Sequence, residues 1–463
     1  MLPDLVIRSQ RVVLPGGTHP ASIHVGAGKI IGVLAYETVP EGCPIDEAGD
    51  AAVMPGVVDS HVHINEPGRT EWEGFDTATR AAAAGGVTTM IDMPLNAVPA
   101  TTTTRALEAK RSAAEGKLFV DVGFWGGVVP GNSADLASLA AAGVFGFKCF
   151  LVPSGVDEFP AVTEADLREA LPVLARLGVP LLVHAELPGP IDRATADVSR
   201  RRGWLARTMG TAPDPRRYAT YLATRPKEAE NEAIALAIAL CREYRVPTHI
   251  VHLSSSDALT PLYHARASGL PVTVETCPHY LTFVADEIPD GATAFKCAPP
   301  VRERENREYL WASLAGGLIQ MVVTDHSPSP PALKHLESGD FLRAWGGIAS
   351  LQVGLSATWT GASARGYSLD QLVQWMCRAP ARLLGLGRKG AIDVGYDADL
   401  VVFDPEAEHS VVGTSLMHRH PITPYEGRRL RGLVVRTYLR GRTIFERGKP
   451  VTSPTGHLLT RSV

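Results

Sequence analysis

Hydrophobic and polar positions alternate in two distinct ways along this chain. Residues 1–50 consist of short apolar runs separated by turn residues, and the same texture returns after Asp393 without a helical pattern between the runs. Short alternating runs of this kind predict small antiparallel strands. Between the two ends, β-rich runs alternate with Ala- and Leu-rich segments, which indicates βαβ units and a parallel sheet. We therefore predict a central α/β domain and a small β domain built from both chain ends.

The central segment contains about eight strand-like runs, which is the number that closes a TIM (β/α)8 barrel. We predict an α/β fold in which this barrel spans residues 54–390, and in which residues 1–53 and 391–463 form a small β-sandwich domain. The eight runs are VVDSHVH, VTTMIDMP, FVDVGFWGG, VFGFKCFL, PLLVHAE, THIVHLSS, PVTVETCPH and MVVTDHSP. Helical patterns separate most of them, as at Glu73–Ala84, Thr104–Gly116, Glu164–Leu177, Glu228–Tyr244 and Arg302–Leu314.

Composition places the chain among globular proteins, because 45% of its 463 residues are hydrophobic and 20% are charged. The formal net charge of -4 excludes a broad basic surface for nucleic acid, which needs clustered Lys and Arg to neutralise phosphates. We expect no membrane span, since no apolar run reaches about 18 residues. Asp4 and Arg8 interrupt the segment in which a signal peptide would need a continuous apolar core.

The six cysteines lie far apart and form no C-x-x-C pair. This spacing indicates neither a zinc knuckle nor a disulfide-dense scaffold, and it fits a reducing compartment. We therefore predict a cytoplasmic protein.

The first central run ends in a candidate metal-binding pair. His61 and His63 are two residues apart, so in an extended strand their side chains point to the same side and can face one metal ion. Taken alone, the pair could equally be two polar residues at a strand end. His184, His252 and Asp325 strengthen the metal interpretation, because each follows a short apolar run, and barrel enzymes build their sites where the strands end.

Lys148 lies in the apolar run GVFGFKCFL, where a protonated ammonium is costly. Burial would lower its pKa and favour the neutral amine, which can react with carbon dioxide to give a carbamate with carboxylate-like oxygens. The alternative is a lysine with a buried stem whose head reaches solvent or an ion pair. Four histidines and an aspartate on the same barrel face favour the carbamate.

Longer motifs extend this constellation over the chain: MPGVVDSHVHINEPGRTEWEGF (54–75), AGGVTTMIDMPLN (84–96), GFKCFLVPSGVDEFP (146–160), KCAPPVRERENREYLW (296–311), VVTDHSPSP (322–330) and AWGGIASLQ (344–352). On these motifs the whole chain resembles the cyclic amidohydrolases. The resemblance implies two divalent metal ions, usually zinc, bridged by a carbamylated lysine and a hydroxide. The implied ligands are His61, His63 and Asp325 for the more buried ion, His184 and His252 for the other, and Lys148, as N6-carboxylysine, for both.

The resemblance also implies a reaction and an assembly. Two metal ions about 3.5–4 Å apart lower the pKa of a bridging water and polarise a carbonyl oxygen. Asp325 is then the implied catalytic residue, which takes the proton of the hydroxide and passes it to the departing ring nitrogen. The expected partner is a small ureide, and the expected assembly is a homotetramer.

Within this family, the residues around the site favour the allantoinase group. Dihydroorotases typically read H-x-H-x-R-E-P-G, with the arginine gripping a carboxylate, whereas this chain has Asn65 in that place, whose amide suits a neutral ureide. Hydantoinases and dihydropyrimidinases carry a tyrosine a few residues beyond the lysine, but VPSGVDEF follows Phe150 here. Another cyclic amidohydrolase is the second interpretation. A scaffold relative without catalysis is the third.

Other polar residues near the predicted site have two possible roles each. Asn96, Ser327 and the backbone around Cys297 and Gly346 are expected substrate neighbours, although Asn96 and Ser327 could simply be turn or capping residues. A metal hydroxide makes a cysteine nucleophile unnecessary, so we assign none.

Several further residues are expected to support the fold. Asp59 either orients a metal-bound histidine or bonds to backbone. His249 and His326 should face away from the site by strand alternation, and His279 is expected to be a hydrogen-bonded structural histidine.

Overall fold

A computed structural model of the chain describes residues 2–208, 212–449 and 453–461. The strands are β1 (Leu5–Leu14), β2 (Gly17–Gly26), β3 (Lys29–Leu34), β4 (Ile45–Pro55), β5 (Val57–Val62), β6 (Val87–Asp92), β7 (Asp121–Phe124), β8 (Gly126–Gly127), β9 (Phe147–Phe150), β10 (Leu181–His184), β11 (Thr248–Ile250), β12 (Val272–Thr276), β13 (Met321–Val322), β14 (Leu400–Ser410), β15 (Arg429–Leu439) and β16 (Arg442–Glu446).

The helices alternate with the central strands. They are α1 (Phe75–Ala84), α2 (Thr104–Ala114), α3 (Leu136–Ala141), α4 (Glu164–Leu177), α5 (Pro188–Thr208), α6 (Tyr218–Thr224), α7 (Lys227–Tyr244), α8 (Leu259–Ala267), α9 (Pro278–Thr282), α10 (Arg304–Ala315), α11 (Pro331–Lys334), α12 (Gly354–Ala364), α13 (Leu369–Val373) and α14 (Ala379–Leu383). Among the described residues, no helix combines the length and the apolar character that a membrane span requires.

The central strands form two parallel sheets. Their orders are β13-β12-β11-β10-β9-β8 and β5-β6-β7, and only Trp125 separates β7 from β8. Val62 at the end of β5 forms a parallel bridge to His326, so the end of β5 lies beside the segment that follows β13. Each of the eight predicted runs contains a strand, and the α/β class is confirmed.

Helix α4 shows how local sequence sets an element. Thr163 and Asp166 form a capping box at its start, and Gly178 ends it in the left-handed region with φ 60°. Its buried residues recur with helical spacing and face the core; they are Leu167, Ala170, Leu171 and Leu174. Both ends of this helix were predicted at the residues where the structure has them.

Both chain ends contribute to one seven-stranded sheet, with the order β16-β15-β14-β4-β1-β2-β3. Alternating side chains of this sheet serve two clusters, as strand geometry requires. Val53 packs in a cluster formed mainly by the sheet itself, whereas Ala52 and Met54 join the main core of the α/β part. Strand β4 leads into β5 at Val57, so this sheet supports the strand that ends in the predicted metal-binding pair.

Candidate active site

A cavity of about 450 Å³ opens where the central parallel strands end. Lys148 on β9 lies beneath it, fully buried. Five of the six predicted ligands line this cavity, namely His61, His63, His184, His252 and Asp325. The structure therefore brings together residues that are far apart in the chain.

The first cluster in the cavity consists of His61, His63 and Asp325, and we call it the His61 group. Its ligand atoms lie within 4.8 Å of one another. The Nε2 atoms of His61 and His63 lie 3.2 and 3.4 Å from Asp325 Oδ1. The Nδ1 atom of His61 contacts a Glu275 carboxylate oxygen, and that of His63 lies 3.1 Å from the Leu95 carbonyl oxygen. These oxygens only accept, so each Nδ1 carries the proton and each Nε2 presents its lone pair to the cluster.

The second cluster, the His184 group, consists of His184 and His252. His184 Nδ1 lies 2.9 Å from His252 Nε2. The other ring nitrogen of His184 donates to Glu186 at 2.9 Å, which leaves the Nδ1 lone pair facing His252. Glu186 also pairs with Arg225 on the cavity wall. Although burial opposes it, the Arg225 charge helps to lower the pKa of Glu186 to about 2.

Burial lowers the pKa values of His61, His184 and His252, and the nearby charge of Lys148 lowers each of them further. The Nζ atom of Lys148 is buried and has no hydrogen-bond partner among the described residues. Burial lowers the pKa of Lys148 to about 8, which raises the fraction of neutral amine at neutral pH. The sequence alternative, a lysine whose head reaches solvent or an ion pair, does not describe this side chain.

Two candidate ligands have unusual backbone conformations. His252 has φ 39° and Asp325 has φ 45°, in the left-handed region that few residues other than glycine adopt. Both residues follow the strands that present them. Such conformations cluster at functional sites, because surrounding contacts must hold them.

Glu275 on β12 contacts the His61 group, and it was not among the site residues predicted from the sequence. One of its oxygens contacts His61, and the other lies 2.8 Å from His249 Nε2. Although burial opposes it, these two histidines hold the pKa of Glu275 well below its ordinary value. The only sequence signal was an acidic residue inside the apolar run PVTVETCPH.

The expectation that strand alternation would turn His249 away from the site was wrong, because β11 ends at Ile250 and alternation does not extend to His252. His326 does face elsewhere, since its Nδ1 accepts the backbone N–H of Ser350 at 3.1 Å. His279 was expected to be hydrogen-bonded, but neither of its ring nitrogens has a partner among the described residues. Burial lowers its pKa to about 4.

Asp59 bonds to backbone. It accepts the N–H groups of His61 and Thr324 and the Thr324 hydroxyl, which ties the end of β5 to the segment after β13. Of the two roles considered for Asp59, the structure therefore shows the backbone one.

The predicted substrate neighbours occupy different depths. Asn96, Cys297 and Ser327 line the cavity, and the Cys297 carbonyl oxygen is already bonded to Tyr221 Oη at 2.7 Å. Asn65 does not line it: this residue is fully buried behind Asn96, whose Nδ2 donates to Asn65 Oδ1 at 3.2 Å. Burial raises the pKa of the Cys297 thiol to about 12, which keeps it protonated and fits the absence of a thiol nucleophile from the prediction.

These residues fit a pair of divalent cations. His61, His63 and His184 each present a lone pair inward, because a carboxylate or carbonyl group fixes the outward nitrogen. Imidazole nitrogen with carboxylate oxygen is a ligand set that zinc accepts. The buried Nζ of Lys148 has no hydrogen-bond partner among the described residues, as expected of a side chain that would take part in such a site.

The model of the amidohydrolase family matches residues 52–444 of this chain. The chain belongs to the amidohydrolase family.

Full-length relatives narrow this assignment. An allantoinase from Streptomyces avermitilis is 50% identical over 459 residues, covering 99% of each chain. An allantoinase from Saccharomyces cerevisiae is 44% identical and covers 100% of each chain. The solved structure of an L-hydantoinase (dihydropyrimidinase) from Arthrobacter aurescens has a TM-score of 0.91 and 32% identity, covering 99% of this chain and 100% of that chain. The resemblance to cyclic amidohydrolases, and to allantoinases among them, is thus confirmed.

Proposed function

We propose that this protein is an allantoinase that hydrolyses the ring amide of allantoin to give allantoate in ureide degradation. The observation that carries the reaction type is a cavity lined by two histidine groups, together with the buried, unpartnered Lys148 amine on β9. The choice of substrate is supported by the full-length similarity to allantoinases.

Two zinc ions are the proposed cofactors. His61, His63 and Asp325 would hold one and His184 and His252 the other. Lys148 would be carbamylated and would contribute to both. When bound, such a pair lowers the pKa of a water molecule and polarises a carbonyl oxygen.

Asp325 is the proposed proton carrier. Although burial opposes it, His61 and His63 hold the pKa of Asp325 below its ordinary value, so the carboxylate is ionised at neutral pH. A hydroxide adds to the ring carbonyl carbon, Asp325 accepts its proton, and Asp325 delivers that proton to the ring nitrogen as the C–N bond breaks. The product then carries a new carboxylate and a neutral ureido nitrogen, which balances the reaction.

The cavity wall suits an uncharged ring. Asn96 offers an amide that both donates and accepts, and Ser327 offers a hydroxyl. Three cationic residues, Arg225, Lys296 and Arg343, also line the cavity. Glu186 pairs with Arg225, and two backbone carbonyls accept from Lys296. Asn65 contributes indirectly in this proposal, by orienting Asn96.

Turnover of four ring amides tests the proposal. The zinc-loaded protein is assayed with allantoin, dihydroorotate, hydantoin and dihydrouracil, and metal content is measured on the same preparation. We expect allantoin to give the highest kcat/KM. A preference for hydantoin or dihydroorotate would contradict the substrate assignment, and a metal-loaded protein without turnover would point to a scaffold.

The closed barrel, the form of the terminal domain, the cellular location and the assembly are also proposals. The bridge between Val62 and His326 supports a closed eight-stranded barrel over residues 54–390. The shared seven-stranded sheet supports a terminal domain of residues 1–53 and 391–463 with sandwich form. All six cysteines are free, which supports a cytoplasmic location, and family resemblance supports a homotetramer.

A further inference from the structure

One segment of the cavity rim is held in place by lysines. Residues 342–347, which we call the rim segment, all line the cavity. Lys296, which itself lines the cavity, donates from Nζ to the Leu342 carbonyl oxygen at 3.3 Å and to that of Ala344 at 2.5 Å. One ammonium group therefore fixes two carbonyls in the first half of the rim segment.

A second lysine fixes the other half. Lys334, the last residue of α11, donates to the Trp345 carbonyl oxygen at 3.2 Å and also to that of Gly347. The N–H of Trp345 in turn donates to the Leu333 carbonyl oxygen at 2.7 Å. Four carbonyls of one six-residue segment are thus bound by two ammonium groups.

Stability of the fold alone does not explain why these two lysines are buried. Neither ammonium forms an ion pair with a carboxylate among the described residues, and Lys334 is only 3% exposed. Burial lowers the pKa of Lys334 to about 7 and that of Lys296 to about 8. A buried charge without a counter-ion destabilises a fold, so the geometry of the rim segment gives a better reason for both lysines.

One backbone N–H group of the rim segment is available to a ligand. Among the described residues, the N–H of Gly346 has no acceptor, although Gly346 lies on the cavity wall. Gly347 has φ 141° and approaches Ser327 so closely that a Cβ atom would lie 2.2 Å from the Ser327 carbonyl oxygen. Only glycine fits there, and the rim segment is consequently seated tightly against a cavity residue.

We propose that Lys296 and Lys334 are positioning residues that hold the rim segment so that the Gly346 N–H donates to a carbonyl oxygen of the substrate ring. This inference rests on the proposed function, because it concerns the orientation of a ring amide in the same cavity. The lysines act on the backbone of the rim segment, and neither lysine carries a step of the hydrolysis.

Lys334→Met and Lys296→Met test the proposal, since methionine keeps much of the stem and removes the ammonium. Loss of one neutral hydrogen bond to the substrate corresponds to roughly a fivefold change in binding. We expect KM for allantoin to rise about fivefold in each variant, with kcat within about twofold and metal content unchanged. If the double variant raises KM by less than the product of the two single changes, both lysines act through the same segment.

Lys389→Met is the matched control. Lys389 is also buried, but it contacts the carboxylates of Asp121 and Asp399 and lies outside the cavity lining. This variant should lower Tm and leave KM unchanged, which separates loss of stability from loss of positioning.

The outcomes are distinct. If the lysine variants have an unchanged KM, or if kcat and metal content fall together, the positioning role is wrong. Turnover of allantoin by the wild-type protein would still support the proposed function in that case. A wild-type protein that binds metal but does not hydrolyse allantoin overturns both.

Discussion

The two ligand groups of the site are built alike but are supported differently. In each, a buried carboxylate accepts a hydrogen bond from the outward nitrogen of a histidine: Glu275 from His61 and Glu186 from His184. Glu275 also accepts from His249 Nε2 and from the backbone N–H of His252, whereas Glu186 is paired with the fixed cation of Arg225.

This difference has a consequence for metal affinity. A carboxylate that accepts the proton of a ligating histidine raises the basicity of that ligand, and a cation on the same carboxylate weakens this effect. The His61 group should therefore bind its ion more tightly than the His184 group. Arg225 also lines the cavity. The group that should bind its ion more weakly is therefore the one whose supporting carboxylate contacts a residue of the cavity wall.

Lys148→Ala removes the proposed bridging residue and should erase the difference between the two groups. We expect loss of both ions and a fall in kcat of about 10⁴-fold or more, because metal ions supply several kcal/mol of charge stabilisation. A short carboxylic acid should restore part of both. Native mass spectrometry with metal analysis decides the result, and a wild-type lysine that is unmodified in a fully active protein with one ion would refute a shared bridge.

Asp325→Asn tests the proton carrier of the His61 group. The change nearly preserves volume and removes the proton acceptor, so we expect kcat to fall about 10³-fold, within the usual contribution of general acid–base catalysis. Because Asp325 is also a proposed ligand, metal content and kcat must be measured on one preparation. Retention of two ions with nearly unchanged turnover would assign the proton transfer to another residue.

Glu275→Gln and Glu186→Gln compare the two supports directly. Glutamine keeps the size of each side chain and one acceptor oxygen but removes the charge. Loss of an outer partner typically weakens metal binding by about 10–100-fold, and we expect the upper end for Glu275→Gln and the lower end for Glu186→Gln. Zinc titration against a competing chelator measures both constants. Equal losses of zinc affinity, or the reverse order, would show that Arg225 does not weaken the effect of Glu186 on His184.

Asn65→Ala probes the His61 side with the smallest expected effect. The change removes the oxygen that accepts Asn96 Nδ2 and frees an amide on the cavity wall. We expect KM for allantoin to rise by about fivefold, since a neutral hydrogen bond is worth roughly 1 kcal/mol, while metal content stays the same. Steady-state kinetics provide the check, with Asn96→Ala as the comparison. A change in metal content would mean that Asn65 supports the ligands instead.

The sequence by itself determined the parts of this protein that depend on local periodicity. Strand alternation predicted that His61 and His63 share a side, and their ring centroids lie 5.4 Å apart. The capping box at Thr163 and the glycine at Gly178 set both ends of α4 before any tertiary contact is considered. Apolar runs followed by His184, His252 and Asp325 likewise identified the edge at which the cavity opens.

Tertiary structure alone decided which distant groups meet. Glu275 reaches His61 across 214 positions of sequence, and Arg225 reaches Glu186 across 39. Asn65 was expected on the cavity wall, yet it lies behind Asn96. Alternation also failed between His249 and His252, because the strand ends between them and His252 adopts a left-handed backbone. The physical reason is that hydrogen bonds and charge pairs depend on separation in space, and side-chain periodicity holds only within a single regular element.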